Sequence, residues 1–204
     1  MPTEAKTPLR IYLAGPEVFF PNALEQGEIK KRMCAEFGFE GVYPLDNCID
    51  GAAALSPAEL ARRISLGNEA LMRTCDLTIA NCTPFRSVSM DSGTAFEIGF
   101  MRALGRPVLG YSNNPADFAA RVRAVHSGGQ HGWDSESAAA DIEDFGLAEN
   151  LMIAVAISES GIPLVMRDVP DNCALSNLDG FRDCLEYLRQ RGQHLLSPQQ
   201  NNAR

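Results

Sequence analysis

Short apolar runs, most of them closed by Gly, Pro or Asn and followed by a longer stretch of helical spacing, constrain this chain more than any other feature. Leu9–Ala14 stops at Gly15-Pro16, which predicts a strand and a turn. From Asn22 to Phe37 the spacing of Leu24, Ile29, Met33 and Phe37 predicts a helix with one buried face. Gly41–Tyr43 is a second, brief strand closed by Pro44. Ser56–Arg73 opens with a helix-start signal, Ser56 as N-cap, Pro57 in the first turn and Glu59 three residues on. Leu60, Ile64 and Leu71 give that helix an apolar side. Leu77–Ala80 reads as a buried strand, Thr94–Leu104 as a helix ending at Gly105, and Pro107–Gly110 as the next strand. Helices are predicted at Phe118–Val125, Leu147–Ile157 and Leu178–Arg191. Ile162–Met166 reads as an edge strand, because Pro163 cannot donate to a ladder.

Strands alternating with helices dictate parallel βαβ units, here a doubly wound α/β sheet of five strands with helices on both faces. The expectation is one domain over residues 1–196, with the Ser-, Gly- and His-rich stretch Ser127–Ala139 as a loop and 197–204 as a flexible tail. In such sheets ligands gather beyond the carboxyl ends of the strands, at a switch in strand order. Gly15–Phe20, Pro44–Cys48 and Asn81–Asp91 each follow a strand, so they share one rim.

Composition narrows the partners. An apolar share of 45% and a charged share of 22% suit a globular core. A net charge of -8 without clustered Lys and Arg excludes a phosphate-neutralising groove and hence nucleic acid. No apolar run approaches the roughly 20 residues of a membrane span, and Met1–Pro8 is polar, unlike a signal peptide. Cys34, Cys48, Cys75, Cys82, Cys173 and Cys184 form no CxxC pair and have no His at ligand spacing. The expectation is a cytoplasmic chain with reduced cysteines, no metal and no cofactor.

Carboxylates are left to carry the chemistry. There is no GxGxxG and no GxxxxGK[ST], so no dinucleotide or triphosphate cradle. His126, His131 and His194 fall in a helix end, a loop and a tail, poor places for the base of a Ser or Cys nucleophile. Asp91 reads as an N-cap as readily as a site residue. Glu97 stands between Phe96 and Ile98 on a helix of small and apolar residues, where a carboxylate needs a partner or a purpose. A carboxylate can attack an anomeric carbon and form a glycosyl-enzyme.

Five motifs together resemble the nucleoside 2-deoxyribosyltransferases, in particular the branch of the trypanosomatid parasites. They are Ile11-Tyr-Leu-Ala-Gly-Pro-Glu-Val-Phe19, Tyr43-Pro-Leu-Asp-Asn47, Cys75-Asp76 with Thr83-Pro-Phe-Arg86, Asp91-Ser-Gly-Thr-Ala-Phe-Glu97 and Phe145-Gly-Leu-Ala-Glu-Asn-Leu-Met152. The resemblance implies a flavodoxin-like fold and a ping-pong exchange of the base on a 2′-deoxynucleoside, with purines preferred. It implies Glu97 as the nucleophile, Tyr12 orienting it, Asp91 holding a sugar hydroxyl and Phe19 packing on the substrate, with Phe85 beside it. Asn150 and Met152 would enter a neighbouring subunit's site, Asn150 towards the 5′-hydroxyl, so the resemblance also implies a homo-oligomer.

Two positions depart from the best-known bacterial members: Asn68 stands where they carry a base-contacting Asp, and Cys48 where they carry Gln. An amide has no acidic proton for a leaving base, which leaves Asp76 or a water as the source. Two alternatives stay open at this level. One is an N-glycoside hydrolase of nucleoside 5′-monophosphates; the other is a non-catalytic nucleotide-sensing module. Arg86, if it swung inward, would favour the former.

Overall fold

The computed structural model describes residues 7–127, 140–162 and 164–195. Most of the expected loop Ser127–Ala139, the tail 197–204 and Pro163 lie outside the described residues, as does His131.

Every strand pairing is parallel: β1 (Arg10–Ala14), β2 (Glu40–Val42), β3 (Leu77–Asn81), β4 (Val108–Ser112) and β5 (Val165–Met166), in the order β2-β1-β3-β4-β5. This is the flavodoxin-like arrangement, in which the order reverses between β1 and β3. The expected edge strand is indeed at an edge, shortened to two residues. Six α-helices among the described residues connect or flank the strands: α1 (Ala23–Glu36), α2 (Pro57–Arg73), α3 (Ser92–Ala103), α4 (Phe118–Ser127), α5 (Leu151–Ser158) and α6 (Asp179–Leu195).

Alternation along the strands divides the core between the two faces. Ile11, Leu13, Leu77, Ile79, Leu109 and Tyr111 meet Met33 and Cys34 of α1 and Phe181, Cys184, Leu185 and Leu188 of α6. Tyr12, Ala14, Ala80 and Val108 meet Met72 at the end of α2, Ile98 and Met101 of α3, and Ile157 of α5. No helix among the described residues is long and apolar enough to cross a membrane.

Local signals behave as their chemistry requires. The Ser56 hydroxyl accepts from Glu59 N at 3.3 Å, and Asp91 Oδ2 accepts from Thr94 N at 2.9 Å, so both residues cap their helices. The stripe expected on α1 holds at Ile29, Met33 and Phe37, which join the core, and is corrected at Leu24. Leu24 is 69% exposed, and the buried face instead carries Ala23, Gln26, Gly27, Lys30, Met33 and Cys34. A lysine sits on that face because a buried carboxylate, Glu17, receives it at 2.5 Å. On α2 only Met72 is fully buried; Leu60 and Ile64 face a cavity instead of the core.

Candidate active site

A cavity of about 480 Å³ opens over the carboxyl ends of β1, β2 and β3, beside the strand-order reversal. The turn after β1 gives Gly15, Val18 and Phe19, the segment after β2 gives Pro44, Leu45, Asn47, Ile49 and Ala52, and α2 gives Leu60, Ile64 and Asn68. The start of α3 gives Asp91, Gly93, Thr94 and Glu97. Spacing of four residues on α2 sets Leu60, Ile64 and Asn68 on one face, which roofs the cavity. Asn47 ties the β2 segment to that roof, donating to Ile64 O at 3.2 Å and Asn68 Oδ1 at 3.4 Å. Gly67 permits the approach, since a Cβ there would lie 2.0 Å from Asn47 Nδ2.

Glu97 is half-buried in the cavity wall. Tyr12, fully buried on β1, donates its hydroxyl to Glu97 Oε1 at 2.6 Å, and Oε2 has no hydrogen-bond partner among the described residues. Burial pushes the Glu97 carboxyl up to about 7; the Tyr12 hydrogen bond pulls it down, and the charges of Asp91 and Glu17 add to the rise. Burial and the neighbouring Glu97 charge likewise raise the Tyr12 phenol far above its usual range, so it stays a donor. Asp91, also in the cavity wall, spends Oδ2 on Thr94 N and Thr94 Oγ1, at 2.9 and 3.1 Å, which leaves Oδ1 without a partner among the described residues.

The cavity thus gathers Phe19, Asn68, Asp91 and Glu97, with Tyr12 reaching it through Glu97. Phe85 stands one layer back. Its ring lies nearly parallel to that of Phe19, centroids 5.7 Å apart, and the Arg86 guanidinium sits 4.6 Å from the Phe85 centroid and 5.2 Å from that of Phe19. Arg86 takes a left-handed φ of 57°, which a non-Gly residue adopts at a cost and only where its surroundings hold it. Cys48 is exposed and is not part of the cavity wall; Asn47 and Ile49 on either side of it are.

Asp76 is corrected outright. It precedes β3, so it lies at the amino end of the sheet, where it accepts from Arg10 N at 2.8 Å and pairs with Arg106. That rim is opposite the cavity, so Asp76 neither faces a base nor protonates one.

Asn150 and Met152 are absent from the cavity wall. Asn150 caps α5, its Oδ1 accepting from Met152 N at 3.0 Å, and its Nδ2 donates to Glu143 Oε2 at 2.8 Å. Met152 is 73% exposed, and Phe96 on the neighbouring α3 is also largely exposed.

Two buried ion pairs that sequence reading misses brace this rim. Glu17, with no exposure, receives Lys30 at 2.5 Å, Asn81 at 2.9 Å and Tyr111 at 3.2 Å on Oε1. Its Oε2 lies where a Cβ on Gly15 would be, 2.0 Å away, so the carboxylate and the cavity-lining turn hold each other. Glu149 receives Arg121 Nη2 at 2.9 Å, Ser89 Oγ at 2.7 Å and Asn150 N at 3.0 Å, joining the loop before α3 to the start of α5. One signal was available for the first pair: Lys30 stands three residues before Met33 and four after Gln26, on a stripe that otherwise buries.

Comparison with known proteins places the chain in a family and a fold. The family model described as nucleoside 2-deoxyribosyltransferase matches residues 11–152. An uncharacterised protein of Schizosaccharomyces pombe, C191.05c, is 38% identical over 116 residues, 56% of this chain and 54% of that protein, so the match spans about half of its length. The solved 2-desoxiribosyltransferase of Leishmania mexicana superposes with a TM-score of 0.59 at 28% identity, covering 90% of this chain and 98% of that one. A conserved protein of Enterococcus faecalis V583 shares the fold, with a TM-score of 0.53 at 20% identity over 90% of this chain and 99% of its own. With the matched segment running from the strand that bears Tyr12 to the helix that bears Met152, the chain belongs to the nucleoside 2-deoxyribosyltransferase family.

Proposed function

We propose that this protein exchanges the base of 2′-deoxynucleosides, purines above pyrimidines, through a deoxyribosyl ester on Glu97. The observation that carries the reading is the Tyr12–Glu97 pair: a half-buried carboxylate in the cavity wall with one oxygen held at 2.6 Å by a neutral hydroxyl and the other without a partner among the described residues. In the first half-reaction Glu97 Oε2 bonds to C1′ of the sugar as the C1′–N bond breaks and its electron pair leaves with the base. The leaving base takes a proton from cavity water, since Asn68 has no acidic proton and Asp76 is at the far rim. In the second half-reaction the nitrogen of an incoming base attacks C1′, the C1′–O bond breaks with its electron pair returning to Glu97, and the N–H proton of that base passes to the hydroxide left by the first half-reaction. Asp91 Oδ1, left over from capping, accepts a sugar hydroxyl, and Phe19 with Phe85 behind it packs on the base.

The working unit in this reading is at least a dimer, each cavity completed by Asn150 and Met152 of a second copy. Support comes from their absence in their own cavity wall and from the exposed Met152, Phe96 and Val155 on the adjoining helices α5 and α3. Six unpaired cysteines, four of them buried, fit a reducing compartment such as the cytoplasm.

Intact-mass measurement after soaking with a 2′-deoxynucleoside should add one deoxyribosyl group to the wild-type chain and none to Glu97→Ala. An adduct that persists in Glu97→Ala refutes the assignment. Mixing inactive Glu97→Ala with inactive Asn150→Ala should regenerate activity once subunits exchange; full activity in a monomer refutes the shared site.

A further inference from the structure

We propose that Glu143 reads the 5′ end of the sugar, accepting the hydrogen of a 5′-hydroxyl and turning away a 5′-phosphate. The inference rests on the reading above, in which Asn150 enters the neighbouring cavity beside that end of the substrate.

The start of α5 would by itself attract an anion. Its first amides, Leu151 N and Met152 N, have no partner within the helix, and the helix dipole places positive charge there. A bare terminus of this kind is a ready phosphate site. Here it is already filled: Glu143 Oε1 accepts from Leu151 N at 2.5 Å, and Asn150 Oδ1 accepts from Met152 N at 3.0 Å. The second Glu143 oxygen accepts from Asn150 Nδ2 at 2.8 Å. The chain has therefore placed its own carboxylate where an incoming phosphate would bind.

What remains is a matched pair of groups for a hydroxyl. Asn150 Nδ2 has one hydrogen committed to Glu143 and one left to give, and each Glu143 oxygen keeps a lone pair. A 5′-hydroxyl both accepts and donates, so it satisfies Asn150 and Glu143 together. A phosphate only accepts, and it brings about two negative charges to a carboxylate. The segment that carries Glu143 does not offset that repulsion. Asp141–Met152 carries four carboxylates and no Lys or Arg, and the two arginines of α4 that face it, Arg121 and Arg123, are engaged by Glu149 and Asp144. The side-chain amide is held at both ends, Oδ1 by Met152 N at 3.0 Å and Nδ2 by Glu143 at 2.8 Å.

The test is the preference, the ratio of kcat/KM for a 2′-deoxynucleoside to that for its 5′-monophosphate, in wild type and in Glu143→Gln. Removing the charge at constant size should lower the preference by about 10-fold or more. A residue that merely shapes the α5 entry would lower both substrates alike and leave the ratio unchanged, and that result overturns the proposal. Should Glu143→Gln fail to fold, wild-type protein decides with two competitive inhibitors. A 5′-amino analogue, a cationic donor, should bind about 10-fold tighter or more than a 5′-O-methyl analogue, which only accepts. Equal inhibition overturns the proposal while leaving base exchange by the wild type intact. Wild-type protein that exchanges no base removes the functional reading, and this assignment falls with it.

Discussion

Glu17, in the turn after β1, and Glu97, on α3, meet partners from opposite faces of the sheet, and those partners differ in kind. Glu17 is fully buried and takes a cation, Lys30, together with the Asn81 amide and the Tyr111 hydroxyl. Glu97 is half-buried and takes one neutral hydroxyl. A buried carboxylate needs compensation or it neutralises itself. Lys30 supplies that compensation to Glu17, so this carboxylate braces the Gly15–Phe19 turn. Glu97 lacks it, is lifted to about 7, and keeps one oxygen without a partner among the described residues. The difference teaches that burial alone does not perturb a carboxylate; burial without a countercharge does, and perturbed groups are where reactive sites are sought.

The comparison breaks first at Glu97. Glu97→Ala should lower base exchange by about 10³-fold or more, as expected when a nucleophile is deleted. A steady-state assay with a deoxynucleoside and an excess of a second base measures it. Activity within about tenfold of wild type would put Glu97 in the same class as Glu17, a structural carboxylate. Lys30→Met should act on stability: it leaves Glu17 buried and unpaired, and denaturant unfolding should show a loss of about 3–5 kcal/mol. Pairing it with Glu17→Gln should recover most of that loss, because no charge is then stranded.

Glu97→Gln sharpens the same contrast in the opposite direction. The folded-state pKa of Glu97, about 7, lies above the ordinary value of 4.5, so between those pH values the folded chain holds more proton than the unfolded chain. Its contribution to stability is complete below about pH 4.5 and is lost as pH rises through about 7. Glu97→Gln has no such loss. Above pH 7 it should be more stable than wild type by about 1–3 kcal/mol, reduced where cavity solvent screens the charge. Equal stability at pH 8 would mean that Glu97 is better compensated than its surroundings indicate.

This contrast also explains what a reader of the sequence finds and misses. Strand order, the ligand-bearing rim and the caps at Ser56 and Asp91 are local or topological, so apolar spacing and turn residues report them. Glu97 is legible because it interrupts an apolar helix. Glu17 is not, since Gly-Pro-Glu-Val-Phe reads as a turn and its partners arrive from 13, 64 and 94 residues away. The same holds for Glu149 and Arg121, 28 residues apart. Leu24 misleads because polar residues have claimed the buried face of α1 through Lys30. Asp76 misleads for a reason that topology could have caught. In a parallel sheet, residues before a strand and residues after it end at opposite rims, and Asp76 comes before β3.

The smallest expected effect is also the closest probe of the Tyr12–Glu97 pair. Tyr12→Phe removes one hydroxyl from the fully buried core position facing Glu97 and leaves the ring packing in place. The hydroxyl favours the charged carboxylate, so its loss must raise the Glu97 pKa above about 7. A hydrogen bond to a charged group is worth about 1.5–3 kcal/mol, which corresponds to a rise of about one to two pH units. The nucleophile has to be ionised, so kcat/KM for a deoxynucleoside climbs with pH through the Glu97 titration and then levels off. In Tyr12→Phe that climb should shift upward by the same interval, and activity at pH 7 should fall about 5–50-fold. Raising the pH should recover the part of the loss that comes from protonation. Whatever deficit persists on the plateau measures how far Tyr12 also fixes the carboxylate's direction of attack. A climb that stays in place would mean that the limb reports another group, and the pair would then be a packing contact, closer to the Glu17 cluster than to a reactive centre.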